Sequence, residues 1–347
     1  MSEAGESSNF STKISRRKFL AGVGATAGVA MIDSLTNQRF SKAAGSKVAG
    51  ALEVSRSLRE SAADYRLDEV SISQQEEVLS EPSFQIERLL VKVKGENRDF
   101  EAVLATFNPQ AQASIEKTED FRRESLLAAK QPRLVGPVGY LQGDYHRDAV
   151  VSEQERRVSL KLAGRDSRGE NYGENEIVDR FPGLRPEINS ASGGLIIDQQ
   201  GKVRLGNKKE LIQAQSEGRP FLQMVYYLDN QNQEQVLSQK WHHFGKELEI
   251  GNTSYFFGAY VEYVKEGAWR SGYVVFDKDM VPIRHLVKLV EGLSETSDFR
   301  LALADAGNGS SLLVSSDKLE ESKAAYGVNE FNTHYSPLGV VIEGGES

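Results

Sequence analysis

The stretch that decides the fold reads Pro282-Ile-Arg-His-Leu-Val-Lys-Leu-Val-Glu-Gly-Leu293, and it leads into Arg300-Leu-Ala-Leu-Ala304 and Leu312-Leu-Val314. Its apolar residues recur at the three- and four-residue spacing of one helix face, and Pro282 suits a first turn. The two short apolar runs have the length of buried strands. The stretch therefore predicts an amphipathic helix followed by two strands. His285 falls near the polar flank of the helical stripe, where we expect it to be solvated.

Strand patterns dominate the rest of the chain. A second helix is expected over 118–129, because Thr118 is a suitable N-cap and Pro132 lies just beyond the end. Many strands with two or three helices predict an α+β fold with a mixed, mostly antiparallel sheet in a single large domain. Apolar runs and alternations bounded by turn residues predict strands at 84–94, 100–107, 134–141, 195–197, 202–205, 221–228, 236–244, 255–264, 272–276 and 338–342.

The composition excludes several classes of function. The chain has 347 residues, of which 39% are hydrophobic and 27% charged, and its net charge of −8 is modest and not concentrated in the tails. Nucleic acid is therefore not an expected partner, since phosphate backbones are bound by clustered Lys and Arg. A chain without cysteine can form no disulfide, iron–sulfur cluster or thiolate metal site. The five histidines lack the i, i+4 pair of a helical zinc motif.

The N-terminal segment has the pattern of an export signal. Ser15-Arg16-Arg17-Lys18-Phe19-Leu20 precedes a weakly apolar run of Ala, Gly, Val and Thr, and it resembles a twin-arginine signal. The run is shorter than the ~20 residues of a membrane-spanning helix, so we expect no stable membrane anchor after cleavage. The twin-arginine translocation machinery carries folded proteins, and we expect a periplasmic or extracellular location.

These patterns divide the chain into three parts. We assign 1–45 to the twin-arginine signal, 46–82 to a polar linker and 83–343 to the folded domain. The linker is rich in charged and polar residues, and its sparse apolar residues lack a clear period. We therefore expect residues before about Ser80 to contribute little to the fold.

The turn Asp305-Ala306-Gly307-Asn308-Gly309-Ser310-Ser311 has the residue types of an anion-binding loop. Its two glycines permit positive φ angles and bring backbone N–H groups close to a ligand, and its two serines add hydroxyl donors. Asp305, at the end of a strand, can position a water, a sugar hydroxyl or a metal ion. The same residues also fit a plain Gly/Ser turn that begins with Asp.

A second candidate site is the strand end Gln142-Gly143-Asp144-Tyr145-His146. Asp144 and His146 can share proton transfer as general acid and base, and Tyr145 can stack on a sugar ring. A strand-end turn with a partly buried histidine fits these residues as well.

Two further residues are candidates for substrate contacts. Arg270, next to Trp269 at the start of a strand, can clamp a phosphate with its planar guanidinium, although ordinary surface ion pairing explains it too. Asn189, which follows a long charged loop, can contact a sugar hydroxyl.

Three segments together resemble the phosphodiester glycosidase family, which is related to the enzyme that uncovers mannose 6-phosphate by removing N-acetylglucosamine. The Asp305 turn matches that family's Asp-Gly-Gly-Gly-Ser-Ser turn at Asp305, both glycines and both serines, and departs at Ala306 and Asn308. The strand running through Gly139 to His146 matches a second family element, with departures at Gln142 and His146. Gly194-Leu-Ile-Ile-Asp198-Gln-Gln-Gly201-Lys202 is similar to a third, and the resemblance spans roughly residues 84–342.

The resemblance implies an exported hydrolase that cleaves a sugar-1-phosphodiester in cell-wall or extracellular polysaccharide. The catalytic candidates are Asp144, Asp305 and His146. The candidates for substrate binding are Tyr145, Asn189, Arg270, Gly307, Asn308, Gly309, Ser310 and Ser311. No cofactor is assigned: a divalent cation such as Ca²⁺ is compatible with this chemistry, but the acidic residues are not spaced as a recognisable oxygen cage. The motif departures favour an alternative, a non-catalytic envelope protein of the same fold that binds polysaccharide or a protein partner.

Overall fold

The computed structural model describes residues 70–94, 96–118, 122–128, 132–139, 141–143, 158–160, 162–173, 176–177, 193–243, 246–255, 257–277, 279–306, 310–327 and 336–344. Strands make up most of these residues, and every pairing between them is antiparallel. The expectation of mostly antiparallel sheets with few helices is confirmed.

The strands are β1 (Val70–Ser80), β2 (Phe84–Val93), β3 (Phe100–Phe107), β4 (Ala111–Lys117), β5 (Arg133–Gly136), β6 (Leu141–Gly143), β7 (Val158–Leu160), β8 (Gly164–Arg165), β9 (Asn171–Tyr172), β10 (Gly193–Ile197), β11 (Val203–Asn207), β12 (Phe221–Gln223), β13 (Tyr226–Asp229), β14 (Lys240–His243), β15 (Lys246–Glu249), β16 (Ser254–Tyr255), β17 (Phe257–Lys265), β18 (Ala268–Phe276), β19 (Val281–Pro282), β20 (Phe299–Ala306), β21 (Leu312–Ser315), β22 (Lys323–Tyr326) and β23 (Leu338–Gly344). The α-helices are α1 (Lys208–Ser216), α2 (Gln233–Leu237) and α3 (Ile283–Leu293), and 3₁₀ turns cover Arg123–Ala128 and Ile250–Asn252.

Three sheets form the body of the fold. A seven-stranded central sheet has the order β1-β2-β3-β18-β17-β20-β13. Sheet 2 has the order β22-β21-β5-β23-β4, and sheet 3 has the order β11-β10-β12-β8-β9. Sheets 2 and 3 are joined at the β10–β11 turn, where the amide of Ala113 donates to the carbonyl of Gly201 over 2.7 Å. Both sheets contribute to the core on one side of the central sheet.

Apart from the exposed edge strand β1, the central sheet packs against other elements on both faces. Its inner face packs against sheets 2 and 3 through residues such as Phe84, Leu134 and Leu195. Its outer face packs against α3, whose apolar stripe includes Leu286 and Val290, both fully buried. Alternation along β3 sends successive side chains into these two cores, which is why this strand reads as a nearly continuous apolar run.

The expected helix over 118–129 is wrong in extent, because only a 3₁₀ turn at Arg123–Ala128 is present among the residues described there. Thr118 extends the pairing of β4 with β23 instead of capping a helix. Its amide donates to the carbonyl of Pro337 over 3.0 Å, and its hydroxyl donates to the carbonyl of Ser336 over 2.7 Å.

Two predicted strands are divided. The run 221–228 forms β12 in sheet 3 and β13 in the central sheet, with Met224 and Val225 crossing between the layers. The run 236–244 begins inside α2 and becomes strand only at Lys240. Apolar content alone did not indicate where the chain changes layer.

Two further expectations are corrected. Residues 70–80, which we assigned to the polar linker, form the edge strand β1, whose Val70 and Ile72 pack on the outer core. His285 is buried within α3 rather than solvated, and only 3% of its surface is exposed. The predicted signal segment and the other linker residues lie outside the described residues.

Candidate functional site

Two of the three motif segments leave neighbouring strands at the same end of sheet 2. Strands β5 and β21 pair antiparallel, with Val135 opposite Leu313. The end of β5 therefore lies beside the start of β21, which places Pro137 next to Ser311. The chain after Pro137 runs through β6 to Gly143, directly before Asp144, and the chain before Ser311 is the Asp305 turn.

A pair of buried tyrosines on the central sheet touches both segments. Tyr260 on β17 and Tyr273 on β18 are directly opposite each other, and their ring centroids are 5.0 Å apart in an edge-to-face arrangement. The Tyr260 hydroxyl donates to the carbonyl of Pro137 over 2.7 Å, and the Tyr273 hydroxyl donates to the carbonyl of Ser310 over 2.5 Å. Burial raises the pKa of Tyr260 well above its usual value, so this hydroxyl remains a donor.

Glycines make room for these hydroxyl groups. A Cβ atom on Gly136 would overlap the hydroxyl of Tyr260, and one on Gly258 would overlap the hydroxyl of Tyr273. The Gly258 position also faces the Ser310 carbonyl, which a Cβ atom would approach to 2.9 Å. The two tyrosine contacts therefore depend on two positions that lack a side chain.

The third motif segment joins the other two through the crossing between β12 and β13. The amide of Met224 donates to the carbonyl of Gly193 over 3.0 Å, and the amide of Val225 donates to the carbonyl of Leu303 over 3.1 Å. A Cβ atom on Gly139 would lie 2.5 Å from the carbonyl oxygen of Gln223. The start of β10, the end of β20 and the segment before Asp144 thus meet around residues 223–225.

Asp305 lies in an irregular part of β20. Phe257 pairs with Ala306 and Ala259 pairs with Leu303, so two residues of β20, Ala304 and Asp305, lie opposite Gly258 alone. An extra residue of this kind is a β-bulge, which bends a strand and redirects a side chain, and bulges are common beside active sites. The backbone of Asp305 is described, whereas its side chain is not.

Ser310 and Ser311 are fully buried at the end of the turn. The guanidinium of Arg123, itself 1% exposed, donates to the carbonyl of Ser311 over 3.0 Å. The Ser311 hydroxyl oxygen is buried and has no hydrogen-bond partner within the described part of the chain. A buried cation and a free hydroxyl group beside a Gly-rich turn are features that suit an anionic ligand.

Arg270 is not brought to this site. Its guanidinium pairs with Glu266 over 2.8 Å at the β17–β18 hairpin. Arg270 is level with Tyr263, whereas the Asp305 turn begins level with Phe257. Six strand positions separate these levels, or about 20 Å. Surface ion pairing therefore describes Arg270 better than a phosphate clamp does.

The other candidates divide between described and undescribed parts of the chain. Ser310 and Ser311 are placed at the site, as above. Those that lie outside the described residues are Asp144, Tyr145, His146, Asn189, Gly307, Asn308 and Gly309. Among the residues that the structure describes, no three His, Asp or Glu side chains are grouped to hold a metal ion.

Sequence reasoning missed Arg123, Tyr260 and Tyr273. Arg123 falls in a run, Phe-Arg-Arg-Glu, where nothing distinguishes the buried arginine from its neighbour. The tyrosines follow the apolar alternation of their strands and read as ordinary core residues. Small residues near strand ends, Gly136 and Gly258, were the only available sign of a close approach.

Comparisons with known proteins give distant likenesses. No family model and no curated protein matches the chain. The catalytic domain of zebrafish N-acetylglucosamine-1-phosphodiester alpha-N-acetylglucosaminidase, auto-inhibited by its pro-peptide, is 13% identical with a TM-score of 0.44, over 84% of this chain and 93% of that one. A hypothetical protein from Synechocystis is 10% identical with a TM-score of 0.37, over 78% of this chain and 64% of that one. These values describe a distant structural resemblance only.

The helices give no sign of a membrane-spanning segment. None of those in the described stretches combines the length and the apolar character that crossing a bilayer requires.

Proposed function

We propose that this chain is an exported hydrolase that cleaves a sugar-1-phosphodiester in cell-wall or extracellular polysaccharide. One observation carries the proposal. The three segments that resemble the phosphodiester glycosidase family are far apart in sequence, yet their described parts meet at one end of the central sheet, around residues 223–225.

The proposed chemistry needs two carboxyl groups, which Asp144 and Asp305 supply. One donates a proton to the phosphate oxygen as the bond between that oxygen and the anomeric carbon breaks. The other remains charged and either stabilises the positive sugar carbon or activates the water that attacks it. Water adds a hydroxyl to the sugar and replaces the donated proton, so the products are a free sugar and a phosphomonoester. His146 and Tyr145 would assist proton transfer and sugar stacking.

The proposed phosphate site is the turn from Gly307 to Ser311. Its backbone N–H groups and serine hydroxyls supply hydrogen-bond donors for the phosphate oxygens. Arg123 donates a hydrogen bond to the carbonyl of Ser311, at the end of this turn, and so places a buried guanidinium next to Ser311.

Asp305→Asn tests the catalytic proposal. We expect turnover of a nitrophenyl sugar-1-phosphodiester to fall at least about 100-fold, with the melting temperature nearly unchanged, because the amide keeps the shape but cannot carry the proton or charge. Asp229→Asn is the matched control: the carboxylate of Asp229 accepts hydrogen bonds from the amides of Gln231 and Asn232 in a turn outside the three motif segments, and this substitution should leave turnover unchanged. Equal turnover in the two variants would contradict the proposal, and a large fall in stability would make Asp305 a structural turn residue.

The alternative is a non-catalytic envelope protein of the same fold. It is favoured by four departures from the family pattern, at Gln142, His146, Ala306 and Asn308. A wild-type protein that binds wall polymer yet hydrolyses no sugar phosphodiester would establish this alternative.

Export is proposed on the sequence of residues 15–20. Changing Arg16 and Arg17 to Lys should keep the protein in the cytoplasm, because the translocation machinery reads the arginine pair. Cell fractionation measures the outcome, and normal export of the double variant would contradict the proposal.

A further inference from the structure

We propose that Tyr260 and Tyr273 are positioning residues that fix two backbone segments relative to each other: the Asp144 segment, which here means residues 137–143 leading to Asp144, and the Asp305 segment, which here means Ser310 and Ser311 at the end of the Asp305 turn. This inference rests on the proposed function. The hydroxyl groups of the two side chains bind the carbonyls of Pro137 and Ser310, one in each segment. Pro137 precedes Asp144 by seven residues, and Ser310 follows Asp305 by five.

The sheet makes this a rigid connection. Tyr260 and Tyr273 are cross-strand partners on β17 and β18, in the middle of the seven-stranded sheet, and their rings are in direct contact. Both side chains are fully buried, so water does not compete for the hydroxyl groups. A shift of one segment must therefore move its tyrosine, break a buried hydrogen bond or disturb the neighbouring ring.

The space for both hydroxyl groups depends on two glycines. Gly136 ends the strand that leads to Pro137, and Gly258 lies opposite the bulge that contains Asp305. A side chain at either glycine would displace the hydroxyl group that now binds a segment. The glycine opposite the bulge thus also makes room for the Tyr273 hydroxyl.

Simple core packing would not need the hydroxyl groups. Phenylalanine fills the same volume, so tyrosine at both positions adds only the two bonds to loop carbonyls. Tyr263 provides the comparison: it lies on β17 and is equally buried, but it packs in the outer core. Its hydroxyl group bonds with Thr106 over 3.1 Å, within the central sheet and away from either segment.

The test compares Tyr260→Phe, Tyr273→Phe and the control Tyr263→Phe in the full chain, with a nitrophenyl sugar-1-phosphodiester as substrate. We expect each of the first two to lower kcat about 10- to 100-fold with little change in KM, because a displacement of about 1 Å in a reacting group can cost that much. Tyr263→Phe should leave kcat within about twofold of wild type. Unchanged kcat in both site variants, an equal loss in the control, or a change confined to KM would overturn the inference.

A second measurement separates this inference from the proposed function. Absence of turnover in the wild type contradicts the proposed function, and amide hydrogen exchange then tests the positioning. Tyr273→Phe should accelerate exchange in 310–315 and Tyr260→Phe in 133–143, whereas Tyr263→Phe should alter neither. Equal exchange in all three variants and the wild type would overturn the positioning role.

Discussion

The two faces of the central sheet differ in the interactions that attach the neighbouring elements to them. The outer face packs on the apolar stripe of α3, and each side chain of this stripe stabilises the fold mainly by removing apolar surface from water. The inner face packs on two further sheets, and at its site end it relies on particular hydroxyl groups, carbonyls and glycines. We infer that the outer face supports stability, whereas the inner face also sets the geometry of the candidate site.

The largest expected effect on stability is at the outer face. Leu286→Ala removes a fully buried side chain from α3 and leaves a cavity, so the free energy of unfolding should fall by about 2–5 kcal/mol. Turnover per folded molecule should stay at the wild-type level. Denaturant unfolding and kinetics on the same samples measure the free energy of unfolding and kcat. A loss of kcat comparable with that of Tyr273→Phe would contradict the inference that only the inner face sets the geometry of the candidate site.

Gly258→Ala makes the corresponding change at the inner face. The added methyl group overlaps the Tyr273 hydroxyl and crowds the Ser310 carbonyl, so we expect a loss of about 1–3 kcal/mol in the free energy of unfolding. Unlike Leu286→Ala, it should also lower turnover, because the overlap displaces the Asp305 turn. Wild-type kcat in Gly258→Ala would show that the turn tolerates displacement.

A pH dependence should arise from the outer face. Burial, aided by the guanidinium of Arg284, lowers the pKa of His285 from 6.5 to about 4. Between these two pH values, His285 binds a proton in the unfolded chain but not in the folded chain. The contribution of neutral His285 to the free energy of unfolding is therefore complete above pH 6.5 and is lost as the pH falls toward 4. The expected slope is about 1.4 kcal/mol per pH unit.

The measurement for His285 is the difference in unfolding free energy between wild type and His285→Gln from pH 7 to pH 4. Glutamine stays uncharged throughout, so the difference should shrink or reverse with falling pH. A pH-independent difference would mean that His285 does not titrate in this window.

The smallest effect is expected at Gly292, in the last turn of α3. A Cβ atom there meets no atom within 4 Å. Gly292→Ala should therefore raise the free energy of unfolding by up to about 1 kcal/mol, since alanine restricts the unfolded chain and favours the helix. Thermal unfolding of Gly292→Ala and Gly258→Ala, each compared with the wild type, measures the difference between the two positions. Destabilisation by both substitutions would indicate that the space around Gly292 is occupied.

The outer face was largely predictable from sequence. Helix α3, which covers this face, was predicted from its apolar stripe. Residues 100–107, which pack into both cores, were predicted as a strand with the bounds that the structure has. Both signals are local, because the hydrophobic period of a strand or a helix can be seen within a short window of neighbouring residues. His285 was misplaced because a single polar residue beside a stripe does not show how wide the buried face is.

The inner face was less predictable, because its structure depends on contacts between distant segments. The split of 221–228 between two sheets and the buried position of Arg123 have no local signature. Strand β1, whose Val70 and Ile72 pack on the outer core, was missed for a different reason: its polar residues suit the exposed edge that it occupies, and such residues also suit a linker. The Asp305 turn was recognised from its glycines and serines, whereas the tyrosines that contact the neighbouring carbonyls were not.

The central claim, that the Asp144 and Asp305 segments meet at one end of the central sheet, has a direct test. The chain contains no cysteine, so paired cysteines can carry spin labels at chosen positions. Double electron–electron resonance measures the distance between two spin labels. One double variant carries labels at Gln142→Cys and Ala306→Cys, and the reference variant carries them at Arg270→Cys and Ala306→Cys. Strand geometry puts the reference distance at roughly 20 Å or more. The account predicts a clearly shorter distance for the first pair, and an equal or longer distance would contradict it.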